Sequence, residues 1–237
     1  MNEILEEIIF SGITKTINGK TKKVNAQISN EEGKLIQDCI HSIKAEISVE
    51  VGLAFGTSAL FICDSLVKTK KTKHYVIDPY QMYENSYDGI GLNNLKKAGY
   101  ESIVNFIEKP SHLALTELES QKIEIDFAFI DGWHTFDHAL VDFFLVDKIL
   151  KIGGIIIIDD TDWPAIKKVC SFITKNRAYN FIGGTPQRSY LKKNNSKIYK
   201  IKNYFLENNT QGPELYGSMA FRKVSTDLRL WNHFENF

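Results

Sequence analysis

The sequence predicts an α/β fold, a doubly wound and mostly parallel seven-stranded sheet with helices on both faces. Three observations carry this. Apolar runs of strand length recur at Ile47 to Val51, His74 to Ile77, Val104 to Ile107, Ile125 to Ile130 and Ile155 to Ile158. Each is followed by a turn signal and a stretch with helical spacing. The runs are nearly continuous in apolar residues instead of alternating, as expected of strands covered on both sides.

Taken in order, residues 1–45 read as a helical appendage. Ile4, Leu5, Ile8 and Ile9 form an amphipathic start, and Asn30, Glu31 and Glu32 open a second helix with Leu35, Ile36, Cys39, Ile40 and Ile43 on one face. Residues 46–237 form the main domain. Gly183 to Gly212 is polar and turn-rich, so an insertion near 183–212 is expected, with Met219 to Val224 returning as a final antiparallel edge strand.

A chain of 237 residues with 43% hydrophobic content buries one sizeable core but is short for two. Lysine plus arginine equals aspartate plus glutamate at 29 each, so no net field draws the protein to nucleic acid or anionic lipid. Neither nucleic acid nor membrane is an expected partner, since no apolar run approaches the roughly 20 residues that span a bilayer. Cys39, Cys63 and Cys170 are odd in number, widely spaced and in apolar contexts, which suits reduced thiols and a cytoplasmic location. The amino terminus carries Glu3, Glu6 and Glu7 where a secretory leader would be basic.

A sheet of this type binds ligands beyond the carboxyl ends of its strands. After the first strand, Glu50-Val51-Gly52-Leu53-Ala54-Phe55-Gly56-Thr57-Ser58 turns on two glycines into a helix whose free N–H groups suit a carboxylate. Asp78 follows the second strand, where a carboxylate can accept both hydroxyl protons of a ribose. Together they read as a nucleoside-cofactor site, although glycines that only make a turn and an Asp78 that only caps a helix fit the same letters. The dinucleotide pattern GxGxxG is absent, because Ala54 and Ser58 stand where later glycines would fall.

A second constellation ends the fourth and fifth strands. Asp131 closes Ile125 to Ile130, with His134 three residues on, and Asp159 and Asp160 close Ile155 to Ile158. Adjacent strands would cluster these carboxylates, a costly arrangement unless a cation neutralises it. Oxygen donors suit magnesium, manganese or calcium. Helix capping by Asp159 or Asp160 is the structural alternative. Asp137, His138 and Asp142 lie along the next helix and read as structural, with His138 within reach of the site.

These motifs resemble the class I S-adenosylmethionine-dependent O-methyltransferases, with their Rossmann-like fold. The stretch Glu50 to Ser58 is similar to the ExGxxxGxS motif that holds the methionine end of the cofactor. The resemblance implies that Glu50 contacts the amino group, that the Gly52 backbone lies beside the ligand, with Gly56 in the same loop, and that Ser58 binds the carboxylate. It gives Asp78 the ribose and Ser111, equally readable as a helix N-cap, the border of adenine. The stretch from Asp131-Gly132 through His134 to Asp142 and the strand ending on Asp159 and Asp160 are similar to metal-dependent small-molecule enzymes of the group, including those acting on macrolide sugars. By that resemblance Asp131, Asp159 and Asp160 bind a divalent metal, magnesium foremost, and His134 is the general base. Catechol-type relatives place Asn where Asp160 stands.

The reaction implied is methyl transfer from S-adenosylmethionine to a hydroxyl of a small molecule such as a sugar, polyketide or aromatic diol. A nicotinamide oxidoreductase, a metal-independent methyltransferase and a non-catalytic binder remain alternatives. Tyr80 to Asp88, Trp133 and Trp163 are candidates for a lid or stacking wall, or else packing. Leu228, Leu230, Trp231, Phe234 and Phe237, with the amphipathic start, leave room for a homo-oligomer.

Overall fold

A computed structural model describes residues 2–16, 19–24, 27–83, 86–186 and 216–237. The chain enters through α1 (Glu3–Ser11), a hairpin of β1 (Ile13–Lys15) and β2 (Thr21–Lys23), and α2 (Asn30–Ile43). The Asn2 side chain caps α1, and α2 begins with a reciprocal box in which Ser29 Oγ accepts from Glu32 N–H and Glu32 accepts from Ser29 N–H. The segment before the main sheet therefore contains a two-stranded ribbon as well as the helices read from its periodicity.

Strand and helix then alternate: β3 (Ile47–Val51), α3 (Thr57–Ser65), β4 (Lys73–Ile77), α4 (Ile90–Lys97), β5 (Val104–Ile107), α5 (Ser111–Ser120), β6 (Ile125–Ile130), α6 (Phe136–Ile149), β7 (Leu150–Ile158), α7 (Pro164–Asn176), β8 (Tyr179–Pro186) and β9 (Tyr216–Lys223). The sheet has seven strands in the order β5-β4-β3-β6-β7-β9-β8, with β3 to β7 parallel. β9 runs antiparallel to β7, as expected, but it is not the edge. β8 pairs outside it, so the edge assignment for Met219 to Val224 is corrected. The reason lies in Gly183 and Gly184, which read as the start of an excursion but end an irregular strand. A Cβ on Gly184 would lie 2.7 Å from Ser218 O, and only glycine lets the two backbones approach so closely. The remainder of the 183–212 segment falls outside the described residues.

Alternation along the buried strands sorts side chains into two cores. Phe127, Phe129, Ile155 and Ile157 pack under α1 to α4, whereas Ala128, Ile130, Ile156 and Ile158 pack under α5 to α7. Each fully buried Ile or Phe removes enough apolar surface to stabilise the fold by roughly 1.5–3 kcal/mol. The three cysteines are free and buried within these layers. Burial pushes the Cys39 thiol up to about 12, and raises Cys63 and Cys170 further.

The amino edge of the sheet is closed by charge. Asp126 Oδ2 accepts from the N–H groups of Glu46 and Ile47, both at 3.0 Å, and its Oδ1 accepts from Lys151 Nζ at 2.7 Å. Asp147 bonds Arg177 and accepts from the Tyr179 hydroxyl at 2.6 Å. Lys223 Nζ lies 3.3 Å from Asp147 and also donates to the carbonyls of Asp147 and Leu150. This network joins α6, α7, β8 and β9.

Candidate active site

The carboxyl edge opens into a cavity of about 820 Å³. Its walls come from the loops after β3, β4, β5, β6 and β7, joined by Gln27 and Ile28 from the segment before α2. The sequence drew attention to the five loops but not to Gln27, Ile28 or His112. The segment before α2 is tied to the main domain where Thr14 Oγ1 donates to Asn94 Oδ1 at 3.0 Å, and Asn94 in turn donates to Phe55 O. No local motif signals that long-range tie.

Gly52 sits at φ +91°, and a Cβ there would lie 2.1 Å from the carbonyl oxygen of Asp131, so the β3 and β6 loops pass one another at backbone contact. Ala54 follows with φ +47°. Asp78 fixes this turn: its Oδ2 accepts from Leu53 N–H at 3.1 Å and Ala54 N–H at 3.2 Å, and its Oδ1 accepts from Tyr80 N–H at 2.8 Å. Gln81, fully buried, donates to Ala54 O and accepts from Gly91 N–H. The first turn is thus held from both sides by residues of the second loop. Gly52, Ser58, Asp78 and Ser111 line the cavity, and so do Asp131, His134, Asp159 and Asp160.

Glu50 and Gly56 stand elsewhere. Gly56 caps α3 from beneath, against the backbone of Gly91. Glu50 is fully buried under the wall rather than in it, because strand alternation turns it away from the face that Val51 presents. Its Oε2 lies 3.2 Å from His74 Nε2, and His74 Nδ1 meets Ser48 Oγ at 2.9 Å. Its Oε1 has no hydrogen-bond partner among the described residues.

On the other half of the cavity, Asp131, His134 and Asp160 each offer a ligand atom within 4.8 Å of the others. His134 Nε2 lies 3.1 Å from Asp160 Oδ2. Asp160 adopts φ +53°, a left-handed backbone that turns its side chain back toward the β6 loop. Asp159, expected in this cluster, lies on the same cavity wall but outside the group of three. Its Oδ1 is taken by Ser218 Oγ at 2.6 Å and by Asp160 N–H at 2.8 Å. The partner Ser218 comes from β9, too far along the chain for motif spacing to reveal.

Trp133 and Tyr80 face one another across the mouth at 6.4 Å between ring centroids, and the His134 and Trp163 rings are 5.3 Å apart. Behind Gly132, Asp142 is buried and bonded to Ser111, with His138 and His112 nearby. Burial raises its carboxyl to about 6 against those partners.

Sheet order, glycine turn and strand-end carboxylates are those of the Rossmann-like methyltransferase fold of class I. The chain resembles O-methyltransferases of that class in sequence and in fold. Residues 49–161 match the model described as "Methyltransferase domain". A putative caffeoyl-CoA O-methyltransferase of Arabidopsis thaliana is 30% identical over 68% of this chain and 65% of its own length, and a second, probable one is 32% identical over 56% and 55%. The chain thus spans between about half and two thirds of the length of these relatives. Among solved structures, an O-methyltransferase from Bacillus cereus in complex with SAH superposes with a TM-score of 0.67 at 15% identity, covering 95% of this chain and 92% of that one. A putative O-methyltransferase from Klebsiella pneumoniae gives 0.65 at 13%, covering 95% and 91%. At such identity these structures speak for the fold.

Proposed function

We propose that the protein transfers the methyl group of S-adenosylmethionine to a hydroxyl of a small molecule, assisted by a divalent cation. The observation that carries this is one cavity whose wall joins Gly52, Ser58 and Asp78 to Asp131, His134 and Asp160. In this reading the backbone beside Gly52 and the start of α3 at Ser58 receive the methionine end, Asp78 the ribose, and Ser111 with its Asp142 partner the adenine border. Glu50, buried beneath the wall with one oxygen not hydrogen-bonded among the described residues, would act on the amino end from below.

Two carboxylates and an imidazole within 4.8 Å, with a third carboxylate on the same wall, form an oxygen-rich donor set that fits magnesium or manganese. Asp131 and Asp160, with Asp159 adjoining, would hold the ion, and when bound it would lower the pKa of the acceptor hydroxyl. The acceptor oxygen attacks the methyl carbon, the carbon–sulfur bond breaks, and S-adenosylhomocysteine leaves. His134 accepts the hydroxyl proton through the ring nitrogen not engaged by Asp160, which lies 3.1 Å from Nε2 and orients the ring against Trp163. Holding oxygen, carbon and sulfur in line supplies much of the rate.

The rim of Tyr80, Trp133 and Trp163 favours a ring-bearing acceptor, an aromatic diol or a sugar. Several relatives are named for caffeoyl-CoA and one for flavonoids. No described helix is long and apolar enough to cross a membrane. The three buried free thiols favour the cytoplasm, and the exposed Trp231, Leu228 and Phe234 favour a homo-oligomer.

The test is calorimetric titration with S-adenosylhomocysteine, with magnesium and with excess chelator, followed by transfer of labelled methyl to catechols and sugars. Micromolar binding and chelator-sensitive transfer are expected. Binding of NAD in place of the homocysteine product overturns the methyltransferase reading, and chelator-insensitive transfer overturns only the metal.

A further inference from the structure

Ala54 lines the cavity with φ +47°, a left-handed backbone that disfavours any residue carrying a Cβ. It stands in a turn where glycine would adopt that shape unaided, so the alanine must be held. Two side chains of the loop after β4 hold it. Asp78 Oδ2 accepts from Ala54 N–H at 3.2 Å, and Gln81 Nε2 donates to Ala54 O at 3.0 Å. The alanine is thus pinned through both of its backbone polar groups.

Gln81 is fully buried behind the wall, and its amide is committed at both ends. Its Oε1 accepts from Gly91 N–H at 2.9 Å, one of the N–H groups that the first turn of α4 leaves without a helical partner. A carbonyl only accepts and an N–H only donates, so these two bonds admit one orientation of the amide. A Cβ on Gly91 would lie 2.7 Å from Ala54 O and 3.0 Å from Gln81 Oε1, so glycine at 91 is what lets the amide bridge α4 and the turn. The Gln81 carbonyl accepts from Gly89 N–H at 2.8 Å, which closes the loop that carries Tyr87, a further residue of the cavity wall.

We propose that Gln81 is a positioning residue for the methyl donor. It anchors Ala54 to α4 in the left-handed conformation, and so keeps the backbone from Gly52 to Ala54 in the shape that receives the cofactor. This rests on the cofactor reading given above. Asp78 faces the cavity as well as the turn, whereas the neutral Gln81 acts on the ligand only through Ala54.

The experiment measures S-adenosylhomocysteine affinity of the full chain by calorimetry, below the melting transition of each variant. Gln81→Met keeps the side-chain length but loses the donor, and is expected to weaken binding about five- to thirtyfold, the equilibrium cost of a left-handed alanine no longer held. Adding Ala54→Gly is expected to return the affinity to within about threefold of wild type, because glycine takes up that backbone unaided. Gly91→Ala, which drives a methyl group between Gln81 and Ala54, is expected to weaken binding in the same direction and stands in if Gln81→Met does not fold. A Gln81 that only stabilises the fold would lower the melting temperature and leave the affinity unchanged. Unchanged affinity in the folded variant, or a loss in Gln81→Met that Ala54→Gly does not restore, overturns the positioning role alone. A wild-type protein that binds no S-adenosylhomocysteine overturns it together with the cofactor reading.

Discussion

The two edges of the sheet carry similar charged residues and use them oppositely. At the amino edge, Asp126 and Asp147 are enclosed by Lys151, Arg177, Lys223 and backbone N–H groups, and the network ties four elements together. At the carboxyl edge, Asp131 and Asp160 face a cavity, with an imidazole between them and the rest of the wall. The amino edge stabilises the fold; the carboxyl edge, in the function proposed, turns its carboxylates toward a ligand. Residue type alone does not separate structure from chemistry, whereas the direction each carboxylate faces does.

That contrast can be tested from its strongest consequence downward. His134→Gln is expected to lower kcat by about a hundred- to ten-thousandfold, the range for a general base, with the melting temperature unchanged. A variant that loses stability instead of turnover would move His134 to the structural side. Asp147→Ala is expected to do the reverse. It leaves Lys223 buried without its carboxylate and Arg177 to its longer contact with Asp227 at 3.4 Å, at about 3–5 kcal/mol, read by urea denaturation, while S-adenosylhomocysteine affinity measured below the transition holds.

Asp142 lies between these cases. Its carboxyl is raised from 3.8 to about 6 by burial, so the folded state binds this proton more tightly than the unfolded state. Its ionisation therefore penalises the fold increasingly as pH rises from about 4 to 6, fully above 6 and not at all below 4. Asp142→Asn is expected to gain stability over wild type on going from pH 4 to pH 7, by at most about 3 kcal/mol before the lost contacts with Ser111 and the histidines are deducted. Thermal melts at the two pH values decide it, and a gain that shrinks as pH rises would reverse the sign.

The smallest effect is expected at Asp78, which belongs to both kinds. Asp78→Ala removes the proposed acceptor for the ribose and the acceptor for three backbone N–H groups. Loss of charged hydrogen bonds of about 1.5–3 kcal/mol predicts roughly ten- to hundredfold weaker S-adenosylhomocysteine binding by calorimetry. Unchanged binding would make Asp78 a purely structural clamp of the Gly52 turn.

The parallel strands were legible because burial on both faces writes itself as continuous apolar runs, as at Ile155 to Ile158. β8 was not, because its partly exposed face and two glycines carry little apolar signal. The strand-end carboxylates could be read from position alone. What spacing could not supply was orientation: Asp159 turned toward Ser218, Glu50 turned beneath the wall toward His74, and Gln81 closed on Ala54. Each depends on a partner brought in by the tertiary fold, and Glu32 shows the limit well. Its local sequence explains its helix cap, while only packing reveals its contact with Ser218 on β9.

The buried cysteines give the molecule three internal clocks. A thiol held protonated at such depth reacts with a maleimide only when its layer opens, so labelling rates report local unfolding. Cys63 lies in α3 behind the Gly52 turn, Cys39 in α2 about two turns beyond the Glu32 cap, and Cys170 in α7 on the opposite face. Mass spectrometry of the labelled peptides would time each layer separately, and an occupied cofactor turn would slow the clock at Cys63 before the one at Cys170.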